Sequence, residues 1–141
     1  LRKAMEATER NRTMTLNLAL SYGGRDEIVR AARKLATQAK NGELNPDDIT
    51  EAVFSSCLYT HKMPDPDLLI RTSGEMRVSN FLLWQIAYSE LFVTPTLWPD
   101  FRRAEYLQIL SDYQKRERRF GLTTTQAERS SDHQTTSSAT A

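Results

Sequence analysis

A chain of 141 residues, 39% hydrophobic and 26% charged, has the length and composition of one ordinary globular domain. Its formal net charge of +1 provides no global field that calls for an acidic partner, so nucleic acid is not expected among its ligands. The single cysteine, Cys57, excludes an internal disulfide, and no apolar run approaches the roughly 18 residues of a membrane span.

The chain opens on LRKAMEATERNRTMT, which reads as if taken up partway along a charged helix. From 13 to 22 polar and apolar residues alternate, and the alternation predicts a strand. Gly23 and Gly24 then turn the chain. Asp26 is placed to cap a helix whose apolar positions Ile28, Val29, Ala32, Leu35, Ala36 and Ala39 follow helical spacing, and Asn41-Gly42 ends it. NPDDITEAVFSSCLY predicts a shorter helix, with Pro46 and two aspartates at its positive end. The prolines of PDPD, Pro64 and Pro66, bar both helix and ladder. LLIR, ending at Arg71, then reads as a parallel strand buried on both faces.

A helix is expected from about 81 to 91, with Trp84, Ala87, Tyr88 and Leu91 on one side. After TPTLWP, a last amphipathic helix is expected from about 100 to 120, burying Phe101, Leu107, Leu110 and Tyr113. Residues 122–141 are Ser/Thr-rich without apolar periodicity and are expected to stay disordered. Strands alternating with helices predict an α/β layered fold with a parallel central sheet, here two recognisable strands and their flanking helices. Such sheets usually need four or more strands, so either further strands go unrecognised in this sequence or part of the fold lies outside this chain, and the second is expected.

The loop after LLIR is where the chemistry concentrates. It leaves the C-terminal end of a parallel strand and enters an expected helix, which is where open α/β sheets bind ligands. Free N–H groups at a helix start favour anions there. Ser73-Gly74 lets the backbone turn tightly, and Ser79 or Asn80 can cap the helix. Arg71 and Arg77 could each grip an oxyanion in bidentate fashion, which suits a diphosphate. Simpler roles stand beside these. Glu75 is near enough to pair with either arginine, and Ser79 can be a cap only. The residues by themselves therefore stop at an anion site of phosphate type. Cys57 reads as a small buried side chain, His61 as a surface residue, and Gly23, Gly24 and Arg25 as structural. Trp84, Tyr88 and Trp98 read as core or dimer interface.

LLIRTSGEMRVSNFLLWQIAYSELFVTPTLWPDF closely resembles the hallmark C-terminal motif of the cis-prenyltransferases, the undecaprenyl diphosphate synthase family. LNLALSYGGRDEIVRAARKLA is similar to that family's earlier strand, Gly-Gly-Arg and helix, and RERRFG resembles its C-terminal end. The likeness runs from about residue 10 to 121. It implies a transferase that condenses isopentenyl diphosphate with an allylic diphosphate such as farnesyl diphosphate, giving a cis-polyprenyl diphosphate of the undecaprenyl, cell-wall lipid-carrier type. It further implies that Arg71, Arg77, Ser79 and the backbone of Val78 hold the isopentenyl diphosphate. By the same motif Glu90 contacts a magnesium ion (Mg2+), and Arg119 and Gly121 reach toward the partner's site in a homodimer. On residues alone, Glu90 reads as a solvated carboxylate near a helix end, and QKRERRFG as a solvated basic one.

The sequence departs from the family pattern in two places. Met76 stands where many bacterial members have histidine, and a methionine takes up neither a hard cation nor a proton. The family's Asp-Gly-Asn-Gly-Arg-Trp signature, with its metal-binding aspartate, does not occur, so no catalytic residue is assigned. Residues 1–121 are thus expected to be the C-terminal part of one synthase domain, supplying the isopentenyl half-site and inactive alone. A non-catalytic partner subunit is the alternative, although such partners typically lose the loop arginines, and both are present here. The expected location is cytoplasmic, with transient contact to a membrane surface where the lipid product resides.

Overall fold

The computed structural model describes residues 1–116. Among these residues, four α-helices, α1 (Arg2–Thr8), α2 (Gly24–Lys40), α3 (Glu51–Ser55) and α4 (Arg103–Gln114), accompany two strands, β1 (Leu68–Arg71) and β2 (Glu90–Val93). The strands form a parallel pair with Leu68 opposite Glu90 and Arg71 opposite Val93. The fold class is α/β, as expected, but the second strand is not the anticipated one.

Residues 13–22, expected as a strand, form irregular chain outside the two-stranded sheet. Met14, Leu16, Leu18 and Leu20 all remain exposed. Alternation marks a segment able to lie on a sheet, but a strand forms only where a neighbour supplies ladder partners, and none does so among the described residues.

The expected helix over 81–91 is instead a series of turns. Phe81 N–H donates to the Val78 carbonyl, Ile86 to Leu82 and Ser89 to Ile86, without a continuous helical ladder. Ser79, Asn80 and Leu82 have φ of 48°, 64° and 45°, a left-handed backbone that a right-handed helix cannot accommodate. Trp84 is half-buried, while Ala87, Tyr88 and Leu91 are exposed. Leu91 and Glu90 belong to β2 rather than to a helix end.

α2 runs to Lys40 and ends as anticipated, with Asn41 at the cap and Gly42 at a φ of 74°. Its start differs, because Gly23 is the cap residue and Asp26 lies inside the first turn without capping. Its buried stripe also differs. Gly24, Glu27, Ala31 and Leu35 face inward, whereas Val29, Ala32 and Ala36 are exposed. Small Gly24 and Ala31 let neighbouring chain approach closely, and that approach selects the inner face.

The segment read as one short helix splits into a 3-10 turn at Pro46–Asp48 and α3. Asn45 and Thr50 cap the two pieces by accepting from Asp47 N–H and Val53 N–H. Ala31 and Leu35 pack with the buried Cys57 and Leu58, and Leu44, Val53, Phe54 and Trp84 close around them. The Phe54 and Trp84 rings lie 4.4 Å apart, and the Trp84 indole donates to Ser55 Oγ at 3.0 Å.

α4 is shorter than the expected 100–120 and buries Ile109. Phe101, Leu110 and Tyr113 are half-buried, and Leu107 points outward at 49% exposure. The remainder of that expected helix and the tail from 122 to 141 lie outside the described residues.

Candidate functional site

Each end of the loop between β1 and the following turns is fastened. At its front, Ser73 N–H donates to the Thr96 carbonyl at 2.9 Å and Gly74 N–H to the Thr94 carbonyl at 2.8 Å. The loop therefore rests on the chain leaving β2. At its back, the Asn80 carbonyl accepts the Gly24 N–H at 2.7 Å, which ties the loop to the start of α2.

Arg71 closes β1, and Arg77 stands on the loop. Together with Leu69, Ile70, Val78 and Phe81 they line a pocket of about 250 Å3. Glu75 pairs with both arginines, meeting Arg71 Nη2 at 3.4 Å and making a close contact with Arg77 Nη2. One carboxylate shared by two guanidiniums leaves the cluster with a net positive charge. The Arg71 Nε–H is buried and has no hydrogen-bond partner, so the site retains an unused donor. A second anion supplying oxygens here would meet fixed, charged donors.

Arg71, Arg77 and Val78 are thus gathered around one pocket, while Ser79 is exposed and does not line it. Asn80 does not cap a helix of its own segment. Its carboxamide Oδ1 accepts the Arg25 N–H at 2.9 Å, so it caps α2, far away in sequence. Met76 is 84% exposed and outside the pocket lining.

Glu90 lies elsewhere. It opens β2 opposite Leu68, three residues before Arg71 on the neighbouring strand, or roughly 10 Å along the ladder. Arg116 Nη1 donates to its Oε2 at 2.6 Å, and the Arg116 guanidinium covers the Phe92 ring at 4.0 Å. No group of three His, Cys, Asp or Glu side chains among the described residues could hold a metal ion. The chain offers one paired carboxylate at the opposite end of the strand pair from the arginines, and these do not make a magnesium site by themselves. Arg119 and Gly121 lie outside the described residues.

A buried carboxylate that sequence reasoning missed ties α2 to the chain after α3 and to the turns that follow the loop. Glu27, 1% exposed, accepts from the Tyr22 hydroxyl at 2.5 Å, the Tyr59 N–H at 2.6 Å and Gln85 Nε2 at 3.1 Å. Gln85 Nε2 also reaches Thr60 Oγ1 at 2.9 Å. Burial, and then the neighbouring Glu27 carboxylate, push the Tyr22 hydroxyl well above the usual tyrosine range. Only the position of Glu27 in the helical stripe, three residues from Gly24 and four from Ala31, could have hinted at this role.

Residues 1–121 match the Prenyltransf family model, for undecaprenyl diphosphate synthase. An isoprenyl transferase of Heliobacterium mobile is 59% identical over 121 residues, covering 86% of this chain and 46% of the relative. One from Bacillus subtilis is 55% identical with the same coverage. The structure of lavandulyl diphosphate synthase from Lavandula x intermedia, in complex with dimethylallyl diphosphate, matches with a TM-score of 0.80 and 47% identity. It covers 85% of this chain and 52% of that one. The chain spans about half the length of the curated relatives it matches.

Proposed function

The chain belongs to the undecaprenyl diphosphate synthase family, and on that premise we propose that it supplies the isopentenyl diphosphate half-site of a cis-prenyltransferase. In the complete enzyme, isopentenyl diphosphate is condensed with an allylic diphosphate such as farnesyl diphosphate, giving a cis-polyprenyl diphosphate of the undecaprenyl type. The observation that carries this reading is the pair of arginines, Arg71 and Arg77, on one pocket at the C-terminal end of a parallel strand.

Arg71 presents a buried guanidinium edge whose Nε–H has no partner, and Arg77 brings a more solvent-facing charge. Their common partner Glu75 holds both side chains near the position a diphosphate would take. On binding, the diphosphate displaces that carboxylate or shares the two guanidiniums with it, and the Val78 backbone and Ser79 add neutral donors. These groups bind and orient the acceptor substrate. The new carbon–carbon bond joins the two isoprenoids as the C–O bond of the allylic substrate breaks and its inorganic diphosphate leaves, and the isopentenyl unit gives up a proton.

Magnesium belongs to this reading as a requirement of the complete enzyme, where it would screen the diphosphate charges. Glu90 is the carboxylate this chain would offer it, on release from Arg116. The homodimer and the transient contact with a membrane surface are further parts of the proposal, with Arg119 and Gly121 as the cross-dimer contact. Retention of both loop arginines favours this reading over the alternative of a non-catalytic partner subunit.

Titration of isopentenyl diphosphate into the full chain, with and without magnesium, tests the proposal by calorimetry. Binding that falls at least about tenfold in Arg77→Ala is expected, in line with the 1.5–3 kcal/mol typical of a charged hydrogen bond. Unchanged affinity in a folded Arg77→Ala chain would remove the loop from the substrate site.

A further inference from the structure

The back of the arginine loop is fastened to α2 by one residue. Asn80 accepts the Gly24 N–H on its carbonyl at 2.7 Å and the Arg25 N–H on its Oδ1 at 2.9 Å. Both donors belong to the first turn of α2, where N–H groups lack helical partners, and Gly23 has no side chain to serve them. The joint is tight. A Cβ added at Gly24 would meet Leu83 Cγ at 3.0 Å, Leu83 N at 3.1 Å and the Asn80 carbonyl at 3.2 Å. Asn80 itself has a φ of 64° and follows Ser79 at 48°. Asparagine tolerates that backbone better than most residues, and here its side chain is tied down as well. The direction in which the chain passes from Arg77 through Val78 and Ser79 into the joint is therefore set against a rigid helix.

We propose that Asn80 is a positioning residue of the diphosphate site: by capping α2 it fixes the left-handed turn that places Arg77 and Ser79, without touching the ligand. The inference rests on the diphosphate reading of the loop and adds to it a residue outside the pocket lining.

Inorganic pyrophosphate binding to the full chain, measured by calorimetry, separates the possibilities. Asn80→Gly keeps the left-handed backbone and loses the side-chain cap. Asn80→Asp keeps both the acceptor and the turn preference. Gly24→Ala leaves Asn80 intact but forces the two segments apart, and it reports independently should either variant at position 80 fold poorly. Asn80→Gly and Gly24→Ala are expected to weaken binding by about tenfold, with Asn80→Asp restored to within about threefold of wild type. A purely structural cap would lower the thermal midpoint and leave the affinity of the folded protein unchanged. Wild-type affinity in folded Asn80→Gly and Gly24→Ala therefore overturns the proposal, as does equal loss in Asn80→Asp and Asn80→Gly. Arg77→Ala run alongside tests the premise. If it binds pyrophosphate like wild type, or if wild type binds none, the diphosphate reading itself fails.

Discussion

The side chain of Arg71 is 37% exposed and that of Arg77 is 67% exposed, so their removal should have different consequences. Arg77→Ala is expected to weaken diphosphate binding while changing folding stability by no more than roughly 0.5 kcal/mol, as for most surface substitutions. Arg71→Ala is expected to weaken binding and also to cost about 1 kcal/mol of stability, because Arg71 is half-buried at the end of β1. Urea unfolding of the two variants checks this, and equal stability losses would make Arg77 a structural residue. Tyr22 offers a pH test. Its hydroxyl is raised in the fold by burial and by Glu27, so the fold favours the neutral form. That contribution is complete below the ordinary tyrosine value of about 10 and is lost as pH climbs through the raised one. Tyr22→Phe should therefore be about 1 kcal/mol less stable at neutral pH, with the gap narrowing toward about pH 11. A gap that stays constant across that range would show that the Tyr22 proton is not tied to folding. At this scale the sequence displayed the arginines and their possible partner Glu75. It could not display Glu27 or the cap made by Asn80, because both depend on chain brought together from distant positions.

Within α2, helical spacing located the element and its end, whereas the neighbouring chain chose the face. Leu35 is 4% exposed and Val29 is 47% exposed, although both belong to the apolar set read from the sequence. Leu35→Ala should cost about 2–5 kcal/mol, and Val29→Ser no more than roughly 0.5 kcal/mol. Chemical denaturation of both variants measures the difference, and comparable losses would mean that the inward stripe is wider than Gly24, Glu27, Ala31 and Leu35. The turns after Asn80 were illegible for a related reason. Apolar residues from Phe81 to Leu91 satisfy a helical period, but the left-handed backbone at Ser79, Asn80 and Leu82 falls on residues that carry no glycine signal. Gly23 and Gly24 hold the clue on the other side of the contact, since they let that backbone pack against α2. β2 was hidden because its four residues, ELFV, are too few to display a period of their own. β1 was legible from prolines before it and an unbroken apolar run within it.

At the scale of the whole chain, the described residues bury a small core and leave a longer apolar segment uncovered. Met14 is 79% exposed and Leu16 is 74% exposed, on the same alternating register as Leu18 and Leu20. Alternating apolar chain without a ladder partner is a template for pairing with another copy. Contiguous exposed apolar surface adds a hydrophobic drive toward the same end. The chain spans about half the length of the relatives it matches, and no strand among the described residues pairs with this segment. The isolated chain should therefore self-associate as its concentration rises. Met14→Lys combined with Leu16→Lys should suppress this, because neither side chain belongs to the packed core and charge on an unpaired strand opposes edge pairing. Light scattering and sedimentation would show smaller species for the double variant, and its thermal midpoint should match that of wild type at low concentration. A midpoint that falls with the substitutions would mean the segment is packed in solution. Unchanged association would move the sticky surface elsewhere, with the exposed Trp98 and Leu97 beyond β2 the next region to alter.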